Sequence, residues 1–291
     1  MTLSEWCAQW LELYVRRQRK PKTLEGYSST LRLHVLPALG GAALEQLTPE
    51  DVQQVINGLL DRCMSRTAQV VYTVLHCALA RAVRSGHIAR NVVGLIDKPS
   101  HVVRHGQAWN VEDQRLFVAA ASGHRLWPAF ALMLYAGLRR GEVLALTWPA
   151  IDLPGKVIHV RASSVRLKGG MVTGSPKSRA GVRDVPILPP LAAALRAHRR
   201  AAPWGASMAP VSDCTLSCTF ARLQQAAGVS VPITLHGLRH TFATRSLQAG
   251  VSPKSLQYVL GHSSMALTVD LYSHAQFDHV AAEFASVASN F

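Results

Sequence analysis

Three short motifs near the end of the chain combine side chains that can attack a phosphate ester. They are His236-Gly-Leu-Arg239-His240, Leu260-Gly261-His262 and Thr268-Val-Asp-Leu-Tyr272. Imidazoles transfer protons, a guanidinium keeps its charge, and a phenol is a nucleophile that needs no metal. Arg139, far upstream in Leu138-Arg139-Arg140-Gly141-Glu142, adds a second guanidinium that can hold phosphate oxygens. These residue types indicate DNA strand breakage.

Cleavage of a phosphodiester by a phenol requires charge neutralisation and an activated nucleophile. Arg139 and Arg239 are the candidates for the first requirement, because forked donors gain as charge shifts onto the phosphate oxygens. Tyr272 is the candidate nucleophile. A tyrosine with the ordinary pKa of about 10 is only about 0.1% ionised at neutral pH, so a nearby base or a positive field must activate it. Taken singly, each of these residues is more often structural, and the prediction depends on their combination.

The remaining catalytic candidates supply protons. His236 and His262 are predicted to transfer protons and to bind phosphate with pKa values near the working pH. Lys177, in Ser175-Pro176-Lys177-Ser178, is predicted to protonate the leaving 5′ oxygen, and Lys168 competes for that role.

Two further residues are predicted to support the site without touching the phosphate. Glu142 lies one helical turn after Arg139 and can orient a guanidinium or a histidine, with a capping interaction or a surface ion pair as the alternative. His240 lies one turn after His236 and is assigned the same supporting role.

Charge and composition favour a nucleic-acid partner. The chain has 31 basic and 17 acidic side chains, a net charge of +14, and residues 1–105 hold 13 of the basic and 8 of the acidic groups. A partner that contacts both halves fits this distribution, although membrane-surface and ribosomal proteins are also basic.

The five cysteines are scattered, which predicts reduced thiols and no zinc site. Without a signal sequence or a long apolar run, we expect a soluble, cytoplasmic protein on the nucleoid, with no membrane partner.

The hydrophobic pattern predicts a mainly α fold with a small antiparallel β-sheet, an α+β class. Residues 1–98 are predicted to form a helical DNA-binding domain of four helices, with Thr23 and Thr48 as caps of the second and third. Residues 99–107 have linker composition, and residues 108–291 form the second domain. Strand signals occur only between Lys156 and Ile187, where glycines at 169, 170 and 174 are predicted turns. An apolar stripe predicts a terminal helix over about 276–291.

The motifs and their order along the chain resemble those of the tyrosine recombinases, the phage integrase family. Gly137-Leu-Arg139-Arg-Gly-Glu142 is similar to the family's first arginine box, and Pro176-Lys177-Ser178 with Arg183-Asp-Val-Pro186 to its lysine hairpin. The segment from His236 to Thr244 is similar to the second box, Leu260 to Ser263 to the third, and Tyr272-Ser-His274 to the nucleophile segment. The N-terminal half resembles the family's core-binding domain, in Thr23, Tyr27, His34, Pro37, Leu39 and Gly40.

Two departures from the family pattern concern regions outside the catalytic motifs. Val92 follows Asn91 where relatives often have proline, which bears on the linker. The sequence also begins directly at the core-binding domain, so a requirement for accessory arm sites is not expected.

The resemblance implies a mechanism and an assembly. Tyr272 would attack the scissile phosphate, form a 3′-phosphotyrosyl link and free a 5′ hydroxyl, and a 5′ hydroxyl of the partner duplex would reverse the step. No cofactor or metal is implied. Four protomers would act on two double-stranded DNA sites through a Holliday junction, the free protein being a monomer or weak oligomer, and a directionality factor stays open. The helix at about 276–291 would dock on a neighbouring protomer or on its own domain.

Three other functions remain open at the level of sequence. A metal hydrolase could use His236 and His240, but Gly237 stands where the zinc-protease motif has a glutamate base. A DNA-binding regulator would not need Tyr272. A type IB topoisomerase would share the phenol chemistry and relax supercoils as a monomer, but the core-binding half and the terminal stripe favour recombination.

Overall fold

The computed structural model describes residues 1–101, 106–176, 178–201 and 207–262. Lys177, Tyr272 and the predicted terminal helix therefore lie outside the described residues. The chain divides into two compact units, Met1–Arg104 and His105–Phe291. In the described parts of both units, no helix is long and apolar enough to cross a membrane.

The described part of the first unit is helical. Thr48 caps the third long helix as predicted, and in the structure it forms a reciprocal capping box with Asp51. Thr23 is not a cap, because Pro21 occupies the first helical position after Lys20 and places Thr23 inside the helix. Its α-helices are α1 (Leu3–Trp10), α2 (Arg16–Gln18), α3 (Pro21–Thr30), α4 (Leu36–Leu39), α5 (Pro49–Leu60) and α6 (Ser65–Arg84), with π-helical turns at Leu11–Val15 and Leu31–Val35.

The second unit contains seven α-helices and five strands among its described residues. The helices are α7 (Val111–Ala121), α8 (Trp127–Ala136), α9 (Arg140–Ala145), α10 (Pro189–Ala201), α11 (Asp213–Ala226), α12 (Gly237–Gln248) and α13 (Pro253–Leu260). The strands are β1 (Ile151–Asp152), β2 (Val157–Val160), β3 (Ser163–Leu167), β4 (Gly170–Gly174) and β5 (Arg183–Pro186).

The strands form two small antiparallel sheets. One has the order β1-β2-β5, with Ile158 opposite Val185, and the other pairs β3 with β4. The prediction that Gly170 and Gly174 are turns is wrong, since both lie in β4. All five residues of β4 are exposed, so the strand has no alternation of buried and exposed positions that its sequence could reveal. The α+β fold class is confirmed.

Helix α8 forms the centre of the second unit. Every residue of this helix except Tyr135 is buried, because it is apolar on all sides and packs against α10 and α12. Asn110 caps α7, and Phe117 of α7 packs edge-on against Phe130 of α8. A separate small cluster of Ala243, Leu247, Leu256 and Leu260 joins α12 to α13. This packing fixes the three elements that carry Arg139, Arg239 and His262.

Candidate active site

Arg139 lies at the junction between α8 and α9. Helix α8 ends at Gly137, whose left-handed conformation (φ +62°) reverses the chain. A side chain at this position would also collide with the ring of Phe242. Arg139 then serves as the N-cap of α9, and its backbone N–H donates to the Glu142 carboxylate at 2.9 Å. The guanidinium donates through Nη1 to Glu142 (2.9 Å) and through Nη2 to the carbonyl of Gly261 (2.7 Å).

Arg239 is a buried guanidinium on the first turn of α12, only 3% exposed. It donates through Nη1 to the carbonyl of Gly137 and through Nη2 to the carbonyl of Leu260 at 2.8 Å. Burial, and then the charge of Arg139, lowers the pKa of Arg239 to about 9. That value lies above neutral pH, so the guanidinium stays charged.

The C-terminal end of α13 connects three arginines. Helix ends leave backbone carbonyls without intrahelical partners, and here three consecutive carbonyls accept from three different side chains. Val259 accepts from Arg183, Leu260 from Arg239 and Gly261 from Arg139. The negative end of the helix dipole therefore faces three guanidiniums. His262 follows these carbonyls directly in sequence.

Glu142 is the acidic partner of this arginine group. Its side chain is 2% exposed and binds Arg183 through both oxygens, at 3.0 and 2.9 Å, besides its bonds to Arg139. Burial alone would raise the pKa of Glu142, but the hydrogen bonds and charges of Arg183 and Arg139 outweigh burial and lower the pKa below its ordinary value. Glu142 is therefore a carboxylate at neutral pH, not a surface ion-pair partner.

Three histidines lie beside the arginines. His236 is the N-cap residue of α12, and its ring packs perpendicular to that of His240 with centroids 5.0 Å apart. Burial, with the charges of His240 and Arg239, lowers the pKa of His236 to about 4. Burial and then Arg239 and Arg139 lower the pKa of His262 to about 4. The expectation of pKa values near working pH is therefore wrong for His236 and His262, because burial and the surrounding positive charges both lower the pKa values of these imidazoles.

A cavity of about 550 Å³ opens beside this group. Its lining includes Arg139, Arg140 and His236 together with Phe220 and Ile233. Arg140 also lies 3.6 Å from Asp213 at the start of α11. The cavity can admit an anionic group to Arg139 and His236.

The structure thus brings together Arg139, Glu142, His236, Arg239, His240 and His262. Lys177 and Tyr272 lie outside the described residues. No group of three or more metal-ligating side chains occurs in the part of the chain that the structure describes. Arg183 is the residue that sequence reasoning missed as part of the site. A signal was present, because Val185 faces the core and a residue two positions earlier in a strand shares its face.

Comparison with known proteins shows the family to which the chain belongs. A family model described as "Phage integrase family" matches residues 112–279, and one described as "Phage integrase, N-terminal SAM-like domain" matches residues 2–60. The chain belongs to the phage integrase family. It is a tyrosine recombinase, an enzyme that breaks and rejoins DNA in site-specific recombination. The resemblance expected from the motifs is therefore confirmed.

Individual relatives agree with this assignment. A protein named "Tyrosine recombinase XerC-like" from Caldanaerobacter subterraneus subsp. tengcongensis is 26% identical, over 94% of this chain and 79% of that protein. Among solved structures, the Tn1549 transposon integrase in complex with transposon right end DNA has a TM-score of 0.84 at 24% identity, covering 99% of this chain and 100% of that one. A lambda integrase tetramer bound to a Holliday junction has a TM-score of 0.72 at 24% identity, covering 93% and 77%. The two structures establish the likeness of fold.

Proposed function

We propose that this recombinase binds the scissile phosphate between Arg139 and Arg239 and that Tyr272 attacks it. The observation that carries the proposal is the pair of guanidiniums held by neighbouring carbonyls of α13, at Gly261 and Leu260, with His236 and His262 beside them. The bonds to Glu142 and to the backbone fix each fork before any substrate arrives. A fixed donor costs no reorganisation when charge develops on the phosphate.

The electrostatics of the site favour an anion. Among the described residues, three guanidiniums surround the single carboxylate of Glu142. Burial and this excess positive charge together keep His236 and His262 neutral, as their lowered pKa values indicate. A phosphodiester entering the site offsets this excess. It also raises the affinity of the imidazoles for protons, so that a neutral histidine can accept the phenol proton as the reaction begins.

The proposed reaction balances without an external reagent. The phenol oxygen of Tyr272 forms a bond to phosphorus while the bond from phosphorus to the 5′ oxygen breaks. The phenol proton passes to a neutral imidazole, and Lys177 supplies a proton to the leaving 5′ oxygen. The product is a 3′-phosphotyrosyl ester and a 5′ hydroxyl. The ester conserves the bond energy, so a 5′ hydroxyl of a second duplex can reverse the step without a nucleotide cofactor or a metal.

The proposed assembly has four protomers on two double-stranded DNA sites. The lambda integrase tetramer on a Holliday junction supports this arrangement by analogy of fold. Residues 1–98 would form the core-binding domain, 99–107 the linker and 108–291 the catalytic domain, and the two domains would clamp the duplex. The helix over about 276–291 would dock on the next protomer.

The cellular role follows from this chemistry. The recombinase would integrate or excise a mobile element on the nucleoid in the cytoplasm, with a directionality factor setting the preferred direction. Relatives from transposons, such as a protein named "Transposase from transposon Tn916" that is 29% identical over part of its length, support a mobile element as the context.

Recovery of protein-linked DNA tests the proposal. Purified protein is incubated with fragmented DNA from the source organism, the reaction is stopped with SDS, and covalently bound fragments are sequenced. The proposal expects one recurrent site with cleavage at a fixed position, also in EDTA, and no adduct with Tyr272→Phe. Equal recovery with Tyr272→Phe, or loss of all adducts in EDTA, would contradict it. The recovered site then provides a nicked duplex on which cleavage traps the adduct.

A further inference from the structure

Arg183 is a buried arginine with no role in the proposed chemistry. It begins β5, and its side chain is 1% exposed. A guanidinium has five N–H donors, and burying it without partners would be costly. Here it donates to four acceptors: both oxygens of Glu142 and the carbonyls of Gly181 and Val259. These bonds join a strand, the turn before it, the start of α9 and the end of α13.

The contacts of Arg183 determine the orientation of the Glu142 carboxylate. Arg183 Nη1 and Nη2 each bind one carboxylate oxygen, a forked geometry that allows a single orientation. In that orientation, Oε1 also accepts from Nη1 of Arg139 and Oε2 from its backbone N–H. Without Arg183, the carboxylate could rotate about its last bond. Arg139 would then lose the fixed acceptor that aims its guanidinium.

The contact with Val259 acts on the other half of the site. Leu260 and Gly261, which follow Val259, hold Arg239 and Arg139 through their carbonyls, and His262 comes next. The Arg183 side chain also packs against Gly261, because a side chain there would lie 3.0 Å from its Cδ. Arg183 therefore supports the loop that carries His262 as well as the residue that orients Arg139.

We propose that Arg183 is a positioning residue for strand cleavage, which holds Glu142 and the end of α13 in the one arrangement that lets Arg139, Arg239 and His262 act on a single phosphate. This inference rests on the proposed function. The Arg183 side chain is 1% exposed and has four protein acceptors, so we expect that its loss slows the cleavage step and leaves DNA affinity unchanged.

Two variants separate positioning from folding. Arg183→Lys keeps the charge but cannot bind both oxygens of Glu142 as a fork. The double variant Arg183→Met with Glu142→Met replaces the buried pair by apolar side chains, a change that is often neutral for stability. Arg161→Lys is the control, since Arg161 follows β2 directly and its partners are the exposed Asp184 and the backbone carbonyls of Val160 and Arg183.

The measurements are single-turnover cleavage of the nicked duplex, DNA dissociation constants and thermal unfolding midpoints. For Arg183→Lys we expect cleavage about tenfold to a hundredfold slower, the usual size of effect when a group that orients a functional side chain is lost, with the dissociation constant within about threefold of wild type. The double variant is expected to unfold close to the wild-type temperature and still to cleave at least a hundredfold more slowly. Arg161→Lys is expected to match wild type in all three.

A folded double variant, or Arg183→Lys, that cleaves at the wild-type rate would overturn the inference. A parallel fall in DNA affinity that accounts for the whole loss of activity would overturn it as well. If wild type itself forms no adduct on any site, the proposed function fails first and the inference fails with it. Wild-type cleavage with unaffected Arg183 variants is a failure of the inference alone.

Discussion

Glu142 and Arg183, which lie 41 residues apart in sequence, form a buried bidentate ion pair with N···O distances of 3.0 and 2.9 Å. The same carboxylate binds Arg139, which is 36% exposed and faces the cavity. A buried carboxylate thus connects an interior arginine with an arginine that can reach substrate. Removing one member of such a group leaves uncompensated charge, which is far more costly than replacing all members.

Glu142→Gln is expected to destabilise the fold. The substitution leaves Arg183 buried without a charged partner, which costs about 3 kcal/mol or more of unfolding free energy. The pKa of Glu142 is lowered in the fold, so its contribution is fully present above the ordinary carboxyl pKa and is lost as the pH falls through the lowered value. Urea unfolding at several pH values should show a large difference in unfolding free energy between wild type and Glu142→Gln at neutral pH, and this difference should shrink in acid.

Glu112→Gln is the matched control for that prediction. Glu112 also pairs with an arginine, Arg115, and has a lowered pKa, but both side chains are exposed. Its loss should leave the unfolding free energy nearly unchanged. Equal effects of the two substitutions would show that the Glu142 pairs do not stabilise the fold.

His236 and His262 are expected to be neutral at neutral pH before DNA is added. With pKa values near 4, His236 and His262 should titrate well below the ordinary range in an NMR titration of the imidazoles. Because folding lowers these pKa values, the two neutral imidazoles contribute fully to the unfolding free energy above about pH 6.5, and this contribution is lost as the pH falls towards about 4. Addition of duplex DNA should raise both pKa values. Titration of both imidazoles near pH 6.5 before DNA is added would mean that neither burial nor the arginines lower their pKa values.

Gly261→Ala is expected to disrupt the site as well as the helix end. Gly261 has φ +63°, and an added Cβ would lie 2.6 Å from the carbonyl oxygen of Ala180. Gly228 has φ +66° with open space around it, so Gly228→Ala tests the backbone conformation alone, at a cost of about 1 kcal/mol. Gly261→Ala should exceed that loss and should also slow cleavage. Equal losses of stability with unchanged cleavage would contradict this prediction.

Arg139→Lys is expected to reduce cleavage by about a hundredfold to a thousandfold, because an ammonium cannot hold the phosphate, Glu142 and Gly261 together. Since Arg139 is partly exposed, the unfolding midpoint should change little. Arg115→Lys, at an exposed arginine with a similar i,i+3 partner, provides the control in the same cleavage assay. A wild-type rate for Arg139→Lys would remove this residue from the mechanism.

Local sequence signals predicted much of the framework that positions these residues. The helix cap at Thr48 and the strand signals between Lys156 and Ile187 depend only on neighbours in sequence, and the structure has a capped helix and strands at these places. The predicted start of α3 at Thr23 is wrong, because Pro21 occupies the first helical position and the helix begins there. Strand β4 could not be found, because an exposed hairpin needs no hydrophobic pattern.

The arrangement of the arginines was less accessible to sequence reasoning. Motifs identified Arg139 and Arg239, but their acceptors are backbone carbonyls at positions 137, 260 and 261, and a carbonyl is the same group in every residue. Arg183 depends on a carboxylate 41 positions away, and only folding brings the two together.

Identification of the residue that becomes linked to DNA tests the central claim most directly. The adduct formed on the nicked duplex is digested with protease and nuclease, and the peptide that retains a nucleotide is sequenced by mass spectrometry. We predict that the nucleotide is esterified to Tyr272. A link to the exposed Tyr258 on α13, or to any residue other than Tyr272, would contradict the account.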